Sequence, residues 1–246
     1  MGGLTVTTSW DDGHRLDPRV GERLRAHGLP GTFYVAPRNR EFPAADRLSP
    51  AALVDLAADF EIGSHTLTHP VLTRTADGRA MLEIADSKKM LEDLLARRVD
   101  TFCYPRGAYQ PKHVSMVVQA GYRYARTVST LATGTLTNPL QAPTTLETGR
   151  FSLQRGLIDL ARAARAVGSA AAVRSLRWDD IAIALFDRCL VTGGVFHLWG
   201  HSWVLESRAE WSRLDRVLAH IAGRPGVRYV ENGALSLLAA ATGRLP

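Results

Sequence analysis

Short β-rich runs alternate with helix-patterned stretches along the 246-residue chain, and this alternation restricts the fold more than any other feature. The first run covers 4–10 and ends in Asp11-Asp12-Gly13. A helix is predicted over 18–27, with Pro18 near its start and Gly28 as its stop. A strand follows at 31–36. Ser49 then precedes Pro50, which suits a capped helix from 50 to about 58. A short strand at 60–64 runs into His65. Over 76–96 the apolar residues Met81, Ile84, Ala85, Met90, Leu91, Leu94 and Leu95 recur at helical spacing. Next come a strand at 99–104, a helix at 111–120 closed by Gly121, and a strand at 122–128. Residues 130–150, rich in Thr, Gly and Pro, read as loop with one strand at most. Helices are expected at 157–166, 179–190, 208–222 and 234–241, and strands at 195–200 and 227–230. Repeated strand–helix units bury parallel strands beneath helices. With no Gly/Ser linker and no internal repeat, the reading is one α/β domain over 1–246, a barrel of (β/α) type.

Bulk properties narrow the function by exclusion. A hydrophobic fraction of 46% and a charged fraction of 22% are those of a globular chain. The net charge of +6 comes from arginines scattered among acids, such as Arg23, Arg25, Arg97, Arg98, Arg162 and Arg165. No block of like charge and no basic stripe studded with aromatics is present, so nucleic acid is not an expected partner. No apolar run reaches membrane-spanning length. The amino terminus lacks a charged region followed by an apolar core, so a cytoplasmic location is the expectation. Cys103 and Cys189 lie in apolar stretches and read as buried free thiols. Oligomeric state is left open.

Three strand ends carry polar groups, and such folds keep their sites there. Asp11 and Asp12 are adjacent carboxylates after an apolar strand, an arrangement that repels itself unless something offsets it. His65 and His69, four apart, share a direction if the segment forms a helical turn, and neutral imidazole is the commonest metal ligand. His197 and His201 sit in an apolar run and share one face of a continuous strand. One of them is expected to be a hydrogen-bonded core residue and the other an acid/base. One carboxylate with two imidazoles leaves open positions for water, which is the arrangement a hydrolytic metal site needs. A spare carboxylate can then take the water proton, and a spare imidazole can protonate a leaving nitrogen.

The pattern resembles the NodB-homology polysaccharide deacetylases, carbohydrate esterase family 4. Thr8-Ser9-Trp10-Asp11-Asp12-Gly13 is similar to that family's T-F-D-D-G motif, and His65-Thr66-Leu67-Thr68-His69 matches its H-[S/T]-x-x-H motif. The resemblance implies a single-domain distorted (β/α) barrel with Asp11 as general base and Asp12, His65 and His69 as metal ligands. It implies one divalent ion, zinc by preference, with nickel, cobalt or manganese also suited to the donor set. Phe102-Cys103-Tyr104-Pro105-Arg106-Gly107 stands where the third motif, R-x-x-Y-G, belongs. Aligned on the glycine, the motif Arg becomes Cys103 and the motif Tyr becomes Arg106, so what orients Asp11 is open. Tyr104, Arg106, Gly107 and Trp203 are assigned to the substrate and oxyanion side, with a backbone N–H near Arg106 as donor. For the last motif, L-x-H, His201 is preferred because His201-Ser202-Trp203 is similar to the H-P-W of related deacetylases; His197 is the fallback. Trp178-Asp179-Asp180 is a weak match to the fourth motif, and Asp179 is expected to cap a helix.

These residues imply a metal-dependent hydrolase that removes an acetyl group from an amino sugar or a sugar-containing metabolite. The alternatives are hydrolysis of another non-peptide C–N bond, as in a small cyclic amide, or a non-catalytic sugar- or metal-binding relative.

Overall fold

The computed structural model describes residues 3–149 and 177–241. Among them run the strands β1 (Leu4–Asp12), β2 (Thr32–Val35), β3 (Glu61–Ser64), β4 (Thr101–Cys103), β5 (Tyr124–Arg126), β6 (Leu146–Glu147), β7 (Gly194–Gly200) and β8 (Arg228–Tyr229). The helices are α1 (Asp17–Ala26), α2 (Pro50–Ala57), α3 (Asp77–Leu95), α4 (Pro111–Gln119), α5 (Trp178–Thr192), α6 (Ser202–Ser207), α7 (Trp211–Ile221) and α8 (Asn232–Ala241). The helix expected at 157–166 lies outside the described residues.

The strands pair in the order β5-β4-β3-β2-β1-β7-β6, with β8 beside β1, and every ladder is parallel. The segment leading into β6 joins the two edges. Ala142 bridges Arg126 at the end of β5, and Leu146 pairs with Leu198 on β7. The expected distorted (β/α) barrel is therefore the observed architecture. Successive strand residues face opposite sides. From β1, Val6 and Trp10 turn outward into one continuous hydrophobic cluster with Leu24 of α1, Leu56 of α2, Ile84 of α3, Val117 of α4, Leu185 of α5 and Leu218 of α7. Thr7, Ser9 and Asp11 turn the other way, onto Asn232, His197 and Arg126. The barrel interior is thus polar and hydrogen-bonded. β3 must carry Gly63 beside that interior, because a Cβ there would lie 2.4 Å from the Tyr34 ring.

Local chemistry sets the element ends. Ser49 Oγ accepts from the Ala52 N–H at 3.2 Å, with Pro50 at the first position of α2. Three expectations change. The helix expected over 208–222 starts later, at Trp211, and a separate short helix, α6, precedes it, with Ala209 at a left-handed φ of 52° between the two. Asp179 is not a cap: Arg177 occupies the N-cap position, and buried Asp179 is paired with Arg177 and Arg216. β7 stops at Gly200, so His201 is the N-cap of α6 and does not continue the strand face of His197. Cys103 and Cys189 are buried and free, as expected. Among the described residues no helix is long and apolar enough to cross a membrane.

Candidate active site

The polar strand ends converge at the carboxyl end of the barrel. Adjacent residues on a strand ordinarily point apart. Asp11 and Asp12 nevertheless both approach His65: its Nε2 is 4.0 Å from Asp11 Oδ2 and 3.8 Å from Asp12 Oδ1. The backbone explains this, since Asp12 has φ 86° and Gly13 has φ 69°, so the chain leaves the extended region at Asp12 and re-aims its carboxylate. Asn39 Nδ2 donates to the Asp12 carbonyl at 3.2 Å across this turn.

His65 and His69 meet through a bent loop and not through a helical turn. Thr66 and His69 take φ values of 66° and 62°. Thr66 Oγ1 donates to the His65 carbonyl and accepts from the His69 N–H. Glu83 of α3, buried, holds the loop from beneath by accepting from the Thr68 N–H at 2.8 Å and the Thr68 hydroxyl at 2.9 Å. The imidazoles are oriented by their outer nitrogens. His65 Nδ1 lies 2.7 Å from the Cys103 carbonyl, and a carbonyl can only accept, so Nδ1 donates. His69 Nδ1 lies 2.9 Å from Glu41 Oε1, and Arg106 Nη2 holds the same oxygen at 2.7 Å. Burial, then the neighbouring His69, hold the His65 pKa well below the ordinary imidazole value.

The two Nε2 atoms are thereby aimed at each other, 3.2 Å apart, with Asp12 Oδ1 at 3.4 Å from His69 and 3.8 Å from His65. Three donors on one tetrahedral ion with bonds near 2.1 Å sit about 3.4 Å apart. These residues fit a divalent cation, and the facing lone pairs give it a reason to bind.

Asp11 is held by a residue that the sequence reading did not single out. Arg126, fully buried on β5, donates from Nη2 to Asp11 Oδ2 and from Nη1 to the Thr127 carbonyl. Its guanidinium lies 4.4 Å from the Trp199 ring centroid and 5.4 Å from that of Tyr34. What orients Asp11 is therefore an arginine from the next strand along the chain, while Cys103 occupies the position where the motif arginine was expected. The run expected as a strand over 122–128 holds two arginines, Arg123 and Arg126, and nothing in their spacing singles out Arg126.

His201 stands at the opposite wall. Its Nε2 is 3.8 Å from Asp12 Oδ2, its Nδ1 is 3.4 Å from Glu147 Oε1, and its ring lies between Trp199 and Trp203 with both centroids at 5.5 Å. Burial opposes its charge, but Glu147, then Asp12 and Asp11, outweigh burial and raise its pKa. His197 lies inside the barrel, with Nε2 2.9 Å from Ser9 Oγ, and burial drives its pKa well down. It reads as the core histidine of the pair. Trp203 Nε1 donates to Asp12 Oδ2 at 2.9 Å, and its ring meets Phe42 edge-on at 5.9 Å. The Tyr104 hydroxyl is committed to the Leu140 carbonyl at 3.0 Å, and the ring stacks on Tyr109 at 4.4 Å. The Tyr104 and Gly107 N–H groups donate to the carbonyls of Arg126 and Tyr104, so neither faces the site.

Comparison with known proteins decides the family. The polysaccharide deacetylase family model matches residues 2–125, just over half of the chain. The chain belongs to the polysaccharide deacetylase family. That family is one of hydrolases. Among solved structures, a candidate polysaccharide deacetylase from Mycobacterium smegmatis superposes with TM-score 0.72 at 15% identity, over 100% of this chain and 93% of that one. A family 4 acetyl xylan esterase from Clostridium thermocellum, in complex with a cobalt ion, gives 0.59 at 15% identity over 95% and 91%. The Streptococcus pyogenes deacetylase PplD gives 0.50 at 18% identity; this chain spans 62% of its length, and the match covers 56% of this chain. At these identities the likeness is one of fold. No curated protein sequence matches the chain.

Proposed function

We propose that this member of the polysaccharide deacetylase family is a metal-dependent deacetylase of acetylated carbohydrates, acting on an N-acetylated amino sugar. The observation that carries the reading is the gathering of Asp12 Oδ1, His65 Nε2 and His69 Nε2 within 3.8 Å of one another, with Asp11 buried beside them on Arg126. Asp12, His65 and His69 would hold the ion, which supplies Lewis-acid polarisation of the scissile carbonyl and lowers the pKa of water. Zinc suits the donors, as do cobalt, nickel and manganese.

Asp11 is the base that takes the proton from the attacking water, and the buried Arg126 fixes its direction. The Arg106 N–H, in a turn with φ 56°, is the backbone donor left for the developing oxyanion. His201, held toward its protonated form by Glu147, gives its proton to the leaving nitrogen. Amine departure needs that proton more than alcohol departure does, which favours an amide over an ester substrate.

Chelation followed by dialysis is expected to abolish acetate release from N-acetylglucosamine oligomers, and added zinc or cobalt to restore it. Asp11→Asn should keep metal affinity while kcat falls about 10²–10⁴-fold. Full activity after exhaustive metal removal would sink the reading.

A further inference from the structure

Asp17 opens α1 and is fully buried, and the chemistry above gives it no part. An acidic residue in the first turn of a helix ordinarily faces that helix's own N–H groups. Both Asp17 oxygens instead leave the helix. Oδ2 accepts from the His14 N–H at 3.0 Å, and Oδ1 accepts from the Ser202 hydroxyl at 2.6 Å, 185 positions away. Ser202 is fully buried as well. One carboxylate thus joins the turn after Asp12 to the segment that carries His201 and Trp203. The tie lies where backbone pairing stops: the β1/β7 ladder ends at Trp10 and Gly200, just before Asp11 and His201. Past that point the two segments are held by Ser202 on Asp17 and by Trp203 Nε1 on Asp12 Oδ2 at 2.9 Å. The Arg19–Glu206 pair also spans α1 and α6, but it is exposed, and such pairs contribute little. Burying a carboxylate costs free energy that an apolar contact in the same place would not. What the carboxylate adds is direction.

We propose that Asp17 and Ser202 are positioning residues that register His201 and Trp203 against Asp12, and so set the delivery of the proton to the leaving nitrogen. The inference rests on His201 being the acid of the proposed reaction. His201 Nε2 is 3.8 Å from Asp12 Oδ2 and its Nδ1 is 3.4 Å from Glu147 Oε1, so a slack Ser202 moves the ring against both. A misplacement near 1 Å costs about 10²-fold in rate. The loss falls on leaving groups that need a proton and spares those that do not.

The test compares two substrates on the zinc-loaded full-length protein. N-acetylglucosamine oligomers lose an amine that must be protonated, whereas p-nitrophenyl acetate loses a phenolate that leaves unaided. In Ser202→Ala and Asp17→Ala, kcat on the oligomers should fall about 10²-fold and kcat on the ester far less. Asp17→Asn should recover most of the loss, because an amide can accept from the His14 N–H and donate to Ser202 Oγ. Equal losses on the two substrates, no loss, or an Asp17→Asn variant as poor as Asp17→Ala overturns the proposal. His201→Ala separates it from the functional reading. A selective loss there without one in Ser202→Ala removes only the tie, and no selective loss in His201→Ala removes the acid itself. Hydrogen exchange reads the tie without turnover. In metal-free Ser202→Ala the Trp203 indole N–H should exchange several-fold faster, while the Trp178 indole, bonded to Glu210 at 3.0 Å, stays as in the parent. Trp203 exchange that is unchanged, or that speeds up together with Trp178, overturns the proposal even where Asp17→Ala does not fold.

Discussion

Arg126 and Asp11 form a fully buried ion pair at the reacting end of the barrel, and that burial sets the consequence of breaking it. Removing one partner of such a pair leaves an uncompensated charge in a dry site and costs about 3–5 kcal/mol. Arg126→Ala is therefore expected to lower unfolding free energy by that order in denaturant titrations and to depress kcat beyond what the stability loss explains. Arg126→Lys should recover part of the stability and less of kcat, because an ammonium lacks the planar fork that fixes the carboxylate. Glu147 acts on the other proton. It helps hold His201 toward its charged form, so Glu147→Gln must lower the His201 pKa. A general acid works only while protonated, so activity falls as pH rises through its pKa. The alkaline limb of kcat/KM should move to lower pH in Glu147→Gln, while a limb that stays in place removes His201 from the acid role.

At the scale of elements, α3 does more than cover β3. Glu83 looks out of place on its apolar face until the loop above is seen: both carboxylate oxygens serve Thr68, and Arg79 balances the charge at 2.6 Å. That contact sets the left-handed bends which turn His65 and His69 toward each other. Glu83→Ala leaves two donors unanswered at a buried position, at about 1–3 kcal/mol. Because the histidines lose their support, metal affinity should fall about 10–100-fold, read by competition with a chromophoric chelator. An unchanged affinity would show that the loop holds its shape without α3. The break between α6 and α7 belongs to the same scale. The left-handed Ala209 separates them, which places Trp211 beneath the guanidinium groups of Arg19 and Arg23 at 4.4 and 4.6 Å.

Across the whole molecule, the sheet separates two kinds of packing. Outside it a large apolar cluster joins strands to helices, and inside it strand side chains hydrogen-bond to one another and to Asn232 at the start of α8. The interior tolerates little added volume. Gly63→Ala would push a methyl group against Tyr34 and Thr101, and overpacking of this kind costs about 1–3 kcal/mol. A lowered melting temperature with the metal-binding stoichiometry intact is the expected outcome. A variant as stable as the parent would show that Tyr34 can move aside.

The sequence alone determined the features that are periodic or contiguous. Alternating strand and helix patterns set the parallel barrel, Ser49-Pro50 set the start of α2, and two local motifs marked Asp11, Asp12, His65 and His69. Contiguous signals survive because they depend on neighbours within a few residues. Tertiary structure decided which distant side chains complete the site. Arg126 reaches Asp11 across 115 positions, Glu41 reaches His69 across 28, and Glu147 on β6 faces His201 at the start of α6. It also set His197 and His201 apart, because β7 ends between them and puts one ring in the barrel and the other at its rim. Those choices follow from strand register and loop bending, which place a side chain through contacts far away in the chain and leave no periodic trace along it.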